Sequence, residues 1–229
     1  MNGNSREVIL QSIREHLAAS VAHEHHSPIH FTPRTVAVSA NGSATSASNI
    51  ELFKKGLEAV MGRCLVVKTE LEIVHALTRI ITELKHTPLN PRRVAVSDAE
   101  GLERLVRLIA VELEVTTMPS TADLFNIDIG ITTAQGAIAE TGTLILDSSR
   151  ERNRLISLVP PVHIAIVSAS EIYSTLGEAL SVLHNDKQSV SSVLTFVTGP
   201  SRTADIELTL TIGVHGPQEL YVIILDDEQ

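Results

Sequence analysis

The sequence has little cysteine and no long hydrophobic run. Its single cysteine, Cys64, excludes an intramolecular disulfide and cannot alone hold an iron–sulfur cluster, which normally takes four thiolates. The longest uninterrupted apolar run, Leu220–Leu225, is far shorter than the roughly 20 residues of a membrane-spanning helix. The N-terminus has no apolar segment of the signal-peptide kind. We therefore expect a soluble protein without a membrane span, located in the cytoplasm.

Positive charge and aromatic surface are also scarce. The 229 residues include 27 acidic and 18 basic side chains, four Phe, two Tyr and no Trp, and the formal charge is -9. Nucleic-acid-binding proteins usually offer a positive field for phosphates and aromatic rings for stacking bases, so this class is disfavoured. The hydrophobic fraction of 43% can form a sizeable core, which excludes a disordered chain.

The first 47 residues differ in character from the rest. Ser5 can cap a helix that runs to about Ala19, because apolar residues recur along it at three- and four-residue spacing. Residues 20–47 lack periodicity, indicate a linker, and contain four histidines: His23, His25, His26 and His30. These histidines lack the spacing of zinc motifs, so we predict no metal site there. We divide the chain into a helix with linker, 1–47, and an α/β domain, 48–229.

Helical and strand patterns alternate from residue 48 onward. Helices are predicted from Ser48, from Thr69 to about Lys85, from Asp98 to about Ala110, after Ser120, and from Ser170 to about Leu183. Strands are predicted at Leu65–Val67, Arg93–Ser97, Glu114–Thr117, Ile127–Thr132, Thr143–Leu146, His163–Val167 and Glu219–Leu225. This order predicts an α/β fold, in which a largely parallel sheet has helices on both faces.

The glycine-punctuated segment from Gly130 to Thr143 is the first candidate site. A carboxylate there, Glu140, is flanked by apolar strands and can act as a base or nucleophile in a partly desolvated crevice. The alternative is that Glu140 accepts hydrogen bonds from its own turn, and that the residues after it serve only chain reversal. Both interpretations stay open. The neighbouring positions predicted to bind substrate are Thr132, Thr141, Gly142 and Thr143.

A second candidate site follows Thr198. Gly199 begins a tight turn, and Ser201, Arg202 and Thr203 then place two hydroxyls and a guanidinium in consecutive positions. That set of donors suits a carboxylate or a phosphate, and we include Asp205 in the predicted site. Alternatively, the turn leads into a helix N-terminus with Asp205 as its cap and Arg202 in a surface ion pair.

The third candidate is a histidine just before the last strand. His215 lies between glycines and a proline, where it can act as an acid, a base or an oxyanion donor, unless it is merely exposed. We expect His163 to belong to the core or to support a site from behind, and a catalytic role is the alternative. We also expect Glu140, the Gly199–Thr203 turn and His215 to line one concavity at strand ends, where open α/β sheets bind their ligands. Three arginines either form the rim of an anion-binding cleft or lie in a solvated helix start. They are Arg150, Arg152 and Arg154.

Four segments near the C-terminus carry a family resemblance. They read A-I-A-E-T-G-T-L, R-L-I-S-L-V-P-P-V-H-I, G-P-S-R-T-A-D-I-E and G-V-H-G-P. Together they resemble the lactate-utilization protein C family, whose defining unit is the LUD domain, from about Asp128 to Leu225. Residues 1–97 resemble that family only in general α/β character.

The resemblance implies a Rossmann-like fold related to the phosphosugar-isomerase and CoA-transferase superfamily. It also implies a component of a system that oxidises L-lactate to pyruvate, beside partner proteins that carry iron–sulfur clusters. We expect no cofactor on this chain, and the absence of a dinucleotide fingerprint disfavours NAD. In CoA-transferases of that superfamily a glutamate in a glycine-bearing turn forms the acyl-enzyme. A stand-alone CoA-transferase-like or phosphosugar-isomerase-like enzyme that uses Glu140 is therefore the alternative, and the sequence leaves open whether this chain is itself an enzyme.

Overall fold

The computed structural model describes residues 46–117, 119–149, 153–185, 193–204, 210–212 and 215–227, together with four residues nearer the N-terminus. Those four are Gln11, Ser12, Arg14 and Glu15. They are helical, and Gln11 Nε2 donates a hydrogen bond to Glu15 Oε1 at 3.0 Å. They belong to a compact unit that spans Met1–Ser43, while Ala44–Gln229 forms a second unit. The linker histidines, Arg150, Arg152 and Asp205 lie outside the described residues.

The second unit contains both helices and strands. Its α-helices are α1 (Ser46–Ala59), α2 (Glu70–Lys85), α3 (Leu102–Arg107), α4 (Thr121–Leu124) and α5 (Leu176–Asn185). Short 3-10 helices cover Arg154–Ser157 and Ala169–Glu171. The strands are β1 (Arg63–Val67), β2 (Arg93–Val96), β3 (Glu114–Thr117), β4 (Ile129–Thr133), β5 (Gly136–Ile138), β6 (Thr143–Asp147), β7 (Val162–Ser168), β8 (Ile172–Tyr173), β9 (Leu194–Val197), β10 (Arg202–Ala204), β11 (Leu210–Ile212) and β12 (Glu219–Leu225).

Six strands form a parallel sheet in the order β1-β12-β7-β4-β2-β3. The predicted α/β fold with a largely parallel sheet is confirmed. From β4 the chain adds β7 and then β12 on one side, whereas β3 lies beyond β2 on the other side. The strand order therefore reverses between β2 and β4, and in open α/β sheets ligands bind at such a reversal, beyond the carboxyl ends of the strands.

Both faces of this sheet are covered. In β12, Tyr221 and Ile223 pack with the apolar side of α2, while Leu220, Val222 and Ile224 pack with α1 on the opposite face. Successive side chains of a strand point to opposite faces, so burial of both sets requires a layer on each side. A transfer free energy of roughly 25 cal/mol per Å² of buried apolar surface makes these two layers the main stabilising contribution.

A second sheet of four strands, in the order β8-β5-β6-β9, holds the segment around Glu140. We predicted that Thr143–Leu146 is a buried strand of the parallel sheet; it is buried, but it pairs antiparallel with β5 and β9. The reason is the short connection between β5 and β6, since a parallel crossover needs a dozen or more residues. Gly142 makes this reversal with a φ of +63°.

Local signals set some helix boundaries and missed others. Thr69 caps α2 as predicted, because its side chain accepts a hydrogen bond from the Glu72 N–H at 3.2 Å. Ser170 does not begin a helix: the Ser168 hydroxyl accepts from the Ser170 N–H, and β8 precedes α5. Arg202–Ala204 is a strand, not a helix start, because it pairs antiparallel with Leu210–Ile212. Within the described ranges, no helix is long and apolar enough to span a membrane.

Candidate functional site

Thr132 and His163 form a buried pair on neighbouring strands. Thr132 Oγ1 lies 2.9 Å from His163 Nε2, and the exposed fractions of the two residues are 1% and 0%. Burial lowers the pKa of His163 to about 4, so the ring is neutral at pH 7. Its Nδ1 has no hydrogen-bond partner within the described part of the chain. The structure thus places the predicted substrate-binding residue Thr132 in the core.

Glu140 is exposed and lies beside the start of α5. Its Oε1 accepts a hydrogen bond from the Leu176 N–H at 3.2 Å, and its own N–H donates to the Ser174 carbonyl oxygen at 3.2 Å. A carboxylate is stabilised at a helix N-terminus, where backbone N–H groups have no intrahelical partner. Glu140 therefore serves as a hydrogen-bond acceptor for a helix instead of its own turn. Its catalytic role stays a prediction.

Hydroxyls connect the first candidate segment to the second. Thr143 Oγ1 lies 2.7 Å from Thr141 Oγ1 and 2.7 Å from Thr198 Oγ1. Both glycine turns also pack closely against α1 or the residue that follows it. A Cβ on Gly142 would lie 2.1 Å from the Leu57 nitrogen, and one on Gly199 would lie 2.8 Å from the Val60 carbonyl oxygen. Only glycine fits these two positions.

The second candidate segment also contacts the third. The Ser201 N–H donates to the Pro217 carbonyl oxygen at 2.8 Å, and a Cβ on Gly216 would lie 3.1 Å from Ser201 Cβ. Gln218, which follows Pro217, donates its N–H to the Pro161 carbonyl oxygen at 2.7 Å. The motif segments that contain Pro161, Ser201 and Pro217 thus meet at the amino ends of β7 and β12, and the segment that contains Thr143 joins them through Thr198. We call the contacting residues 140–143, 198–201 and 216–217 the motif network.

The motif network brings together part of the predicted site. Gly199 and Ser201 lie between the Glu140–Thr143 segment and Pro217, while Arg202 and His215 are exposed. The backbone of Thr203 belongs to β10. The carboxylate of Glu140 contacts the α5 N-terminus, and a single concavity that includes it with Arg202 and His215 stays a prediction.

A cleft lies at the carboxyl ends of β2, β4 and β7, where the strand order of the parallel sheet reverses. We call it the carboxyl-edge cleft; its volume is about 450 Å³, within the range of ligand pockets. It is lined by Asp98, Ala99, Glu100, Thr133, Ala134, Gln135, Ser168 and Glu171. Our sequence reasoning missed this site. The available signal was the position of these polar residues directly after predicted parallel strands.

Hydrogen bonds hold the walls of this cleft in place. Gln135 Oε1 accepts from the Asp147 N–H at 2.7 Å, and Gln135 Nε2 donates to Thr133 Oγ1 at 3.1 Å. Glu171 Oε2 accepts from the Tyr173 hydroxyl at 2.6 Å. Burial, followed by this bond, raises the pKa of Tyr173 well above its usual range, so the phenol stays protonated as a donor.

Metal-ligand clusters and a reactive thiol are two further kinds of site to look for among the described residues. They contain no group of three or more His, Cys, Asp or Glu side chains that could hold a metal ion. Burial raises the pKa of Cys64 to about 12, so its thiol is protonated at neutral pH and is a poor nucleophile.

Comparison with known proteins identifies the family. The LUD domain model matches residues 50–225. Lactate utilization protein C of Geobacillus sp. (strain WCH70) is 30% identical over 188 residues, which cover 75% of this chain and 78% of that protein. An uncharacterized protein of Neisseria meningitidis serogroup B is 38% identical over 138 residues, which cover 60% of this chain and 59% of that protein. The match to lactate utilization protein C of Bacillus subtilis (strain 168) is 38% identical over 103 residues and covers 44% of this chain and 43% of that protein.

A solved structure supports the same conclusion at the level of the fold. A DUF162 family protein from Deinococcus radiodurans superposes with a TM-score of 0.59 at 24% identity, over 80% of this chain and 99% of that one. The family match spans nearly all of the α/β domain, and the Geobacillus relative is similar over most of its length. The resemblance seen in the four motifs is confirmed, and this chain belongs to the LUD domain family.

Proposed function

We propose that this chain is a component of a lactate-utilization system that oxidises L-lactate to pyruvate. The observation that supports this role is the similarity to the Geobacillus lactate utilization protein C, which extends over 188 residues and 78% of that protein. A match of this extent includes more than an isolated motif, since it requires a shared fold across most of both chains.

The partners in this proposal are proteins that carry iron–sulfur clusters. Conversion of lactate to pyruvate releases two electrons and two protons, and the electrons need an acceptor. The chain has one cysteine, whereas a cluster usually takes four thiolates. In this proposal the clusters of partner proteins accept the electrons, and this chain binds a ligand or assembles the system.

The Ser201–Thr203 turn is the proposed site for a small anion. The Ser201 N–H already donates to Pro217, and the donors that we propose for an anion include the Ser201 hydroxyl and the Arg202 guanidinium. Arg202 is exposed, and a guanidinium binds a carboxylate through two parallel hydrogen bonds. His215, which precedes the glycine packed against Ser201, is a further donor at this site.

Deletion of this gene in its own host tests the proposed role. We expect growth on L-lactate to be lost and growth on glucose to be unaffected, and expression of the intact chain should restore growth on lactate. The purified chain is then assayed for lactate oxidation alone and with the host's iron–sulfur proteins. Activity in the combined set supports a component, whereas lactate oxidation by the chain alone contradicts it.

A second candidate function is an acyl-CoA enzyme that uses Glu140, and it is favoured only by the exposure of that carboxylate. Attack of the carboxylate on a thioester carbonyl would release the CoA thiolate and leave an acyl group on the protein. Mass spectrometry after incubation with acetyl-CoA tests this step. An adduct that is lost in Glu140→Gln supports the enzyme, and an unmodified mass excludes acylation by this donor.

A further inference from the structure

The carboxyl-edge cleft has features of a binding site that none of the family motifs indicates. It lies between the ends of β2 and β4, where the order of the parallel strands reverses, and its volume is about 450 Å³. The chain continues from β2 to one side of the sheet and from β4 to the other. The loops that leave these two strands therefore form a crevice that is open to ligands. The location is a consequence of topology and does not depend on the role in lactate utilization.

The hydrogen-bonding groups of the cleft are mostly acceptors. Ionised Asp98, Glu100 and Glu171 have acceptor oxygens and no donors. The amide donors of Gln135 are directed to Thr133, where they contact both the carbonyl oxygen and the hydroxyl. A ligand that satisfies this wall must therefore bring its own N–H or O–H groups.

A buried hydroxyl without a partner in the described part of the chain lies one residue before the cleft-lining Asp98. Ser97 directly precedes Asp98 at the carboxyl end of β2, and its exposed fraction is 1%. Its Oγ has no hydrogen-bond partner within the described residues. Buried hydroxyls in folded proteins almost always have a partner, so an Oγ that has none among the described residues, directly before the cleft-lining Asp98, is unusual.

The charge of the cleft excludes one class of ligand. No basic side chain is among the described residues that line it, and the whole chain carries a formal charge of -9. A carboxylate or phosphate would lie close to three acidic side chains, and no basic side chain among the described lining residues offsets their charge. Lactate, pyruvate and acyl-CoA phosphates are therefore disfavoured here.

We infer that the carboxyl-edge cleft binds a small, non-anionic ligand that carries several N–H or O–H donors, such as an amine or a polyol. Glu100 and Glu171 accept hydrogen bonds from the ligand, and Gln135 fixes the shape of the wall between β4 and β6. The cleft is thus a second ligand site, with a preference opposite to that of the Arg202 turn.

Three four-carbon probes of different charge test this inference. They are butane-1,4-diamine, butane-1,4-diol and butanedioate, and their binding to the full chain is measured by calorimetry at low and moderate salt. We expect the diamine to bind most tightly, the diol more weakly, and butanedioate to leave the cleft empty. Chemical-shift changes of the Gln135 side-chain amide locate the binding.

Glu100→Gln is the variant that probes the cleft, because Glu100 is exposed and has no hydrogen bond or ion pair within the described residues. Its matched control is Glu58→Gln on α1, which removes one exposed negative charge away from the cleft. We expect Glu100→Gln to weaken diamine binding about fivefold, the size of one exposed charge interaction, and Glu58→Gln to have no effect.

Other results would overturn the inference. Equal weakening by the two variants would show general attraction of a cation to an acidic protein. Tight binding of butanedioate at the Gln135 amide would show that the cleft accepts anions, and absence of binding by both the diamine and the diol would remove the site. None of these results bears on growth on L-lactate, so failure here and failure of the proposed role are distinguishable.

Discussion

The motif network is held together by close backbone contacts, whereas the carboxyl-edge cleft is lined by polar side chains. In the network, Gly142 and Gly199 have positive φ angles, and each lies so close to the helix α1 region that a methyl group would not fit. In the cleft, Glu100 and Glu171 face an open volume. The two glycines of the network therefore contribute to packing, while polar side chains line the cleft. Substitutions in the network should change stability, and those in the cleft should change binding.

The largest effect on stability is expected from Gly142→Ala. The new Cβ would lie 2.1 Å from the Leu57 nitrogen, and alanine at a φ of +63° is strained. Overpacking and strain together should lower the free energy of unfolding by about 3 kcal/mol or more, measured by urea denaturation. Gly177→Ala is the control, because its Cβ would have no atom closer than 4.0 Å. Equal stability of the two variants would show that the network is not tightly packed.

The second-largest effect is expected from pH, because the protonation of His163 makes the stability of the protein depend on it. Its native pKa of about 4 lies below the ordinary value of 6.5, so between these values the unfolded chain binds a proton that the native protein does not. The contribution of neutral His163 to the free energy of unfolding is fully present above pH 6.5. It is lost as the pH falls toward 4, and the total loss is about 3 kcal/mol.

Two measurements check this pH dependence. The ring resonances of His163 should not titrate between pH 8 and 5. The loss of stability from pH 7 to pH 4.5 should be smaller in His163→Gln than in His215→Gln. Titration of His163 near its ordinary pKa would contradict its burial.

Arg202→Lys separates packing from binding at the residue that directly follows the motif network. Arg202 is exposed, so the melting temperature should change little, while affinity for a small carboxylate or phosphate should fall by about tenfold or more. An ammonium keeps the charge but cannot make the paired hydrogen bonds of a guanidinium. Calorimetry with lactate, pyruvate and phosphate measures this effect. Equal affinities would remove Arg202 from the site, and a large fall in melting temperature would indicate a structural ion pair.

The smallest effect is expected from Glu140→Gln. The carboxylate accepts one hydrogen bond at the N-terminus of α5 and is exposed, so its charge should contribute about 0.3 to 1 kcal/mol to stability. Thermal unfolding at low and high salt measures this contribution, which salt should reduce. If Glu140 has only this role, growth on L-lactate should be retained in the variant. Loss of growth with unchanged stability would instead support a catalytic carboxylate.

The sequence by itself determined the α/β class, the family and several local boundaries. Some features depend only on residues that are neighbours in the chain, so a linear pattern is enough to predict them. Examples are the buried strand Glu219–Leu225 and the helix cap Thr69. The same holds for His163, whose place in an apolar strand predicted its burial. The four motifs identified the family for a similar reason, because they are contiguous in the chain.

Only the tertiary structure decided which residues meet. The hydrogen bond from Leu176 to Glu140 and the contact between Ser201 and Pro217 join segments whose spacing in the sequence carries no signal. The carboxyl-edge cleft exists because β2 and β4 are neighbours with diverging connections, although more than thirty residues separate them in the chain. Strand order depends on how apolar faces are covered across the whole domain, and it brings Glu100, Gln135 and Glu171 to one cleft.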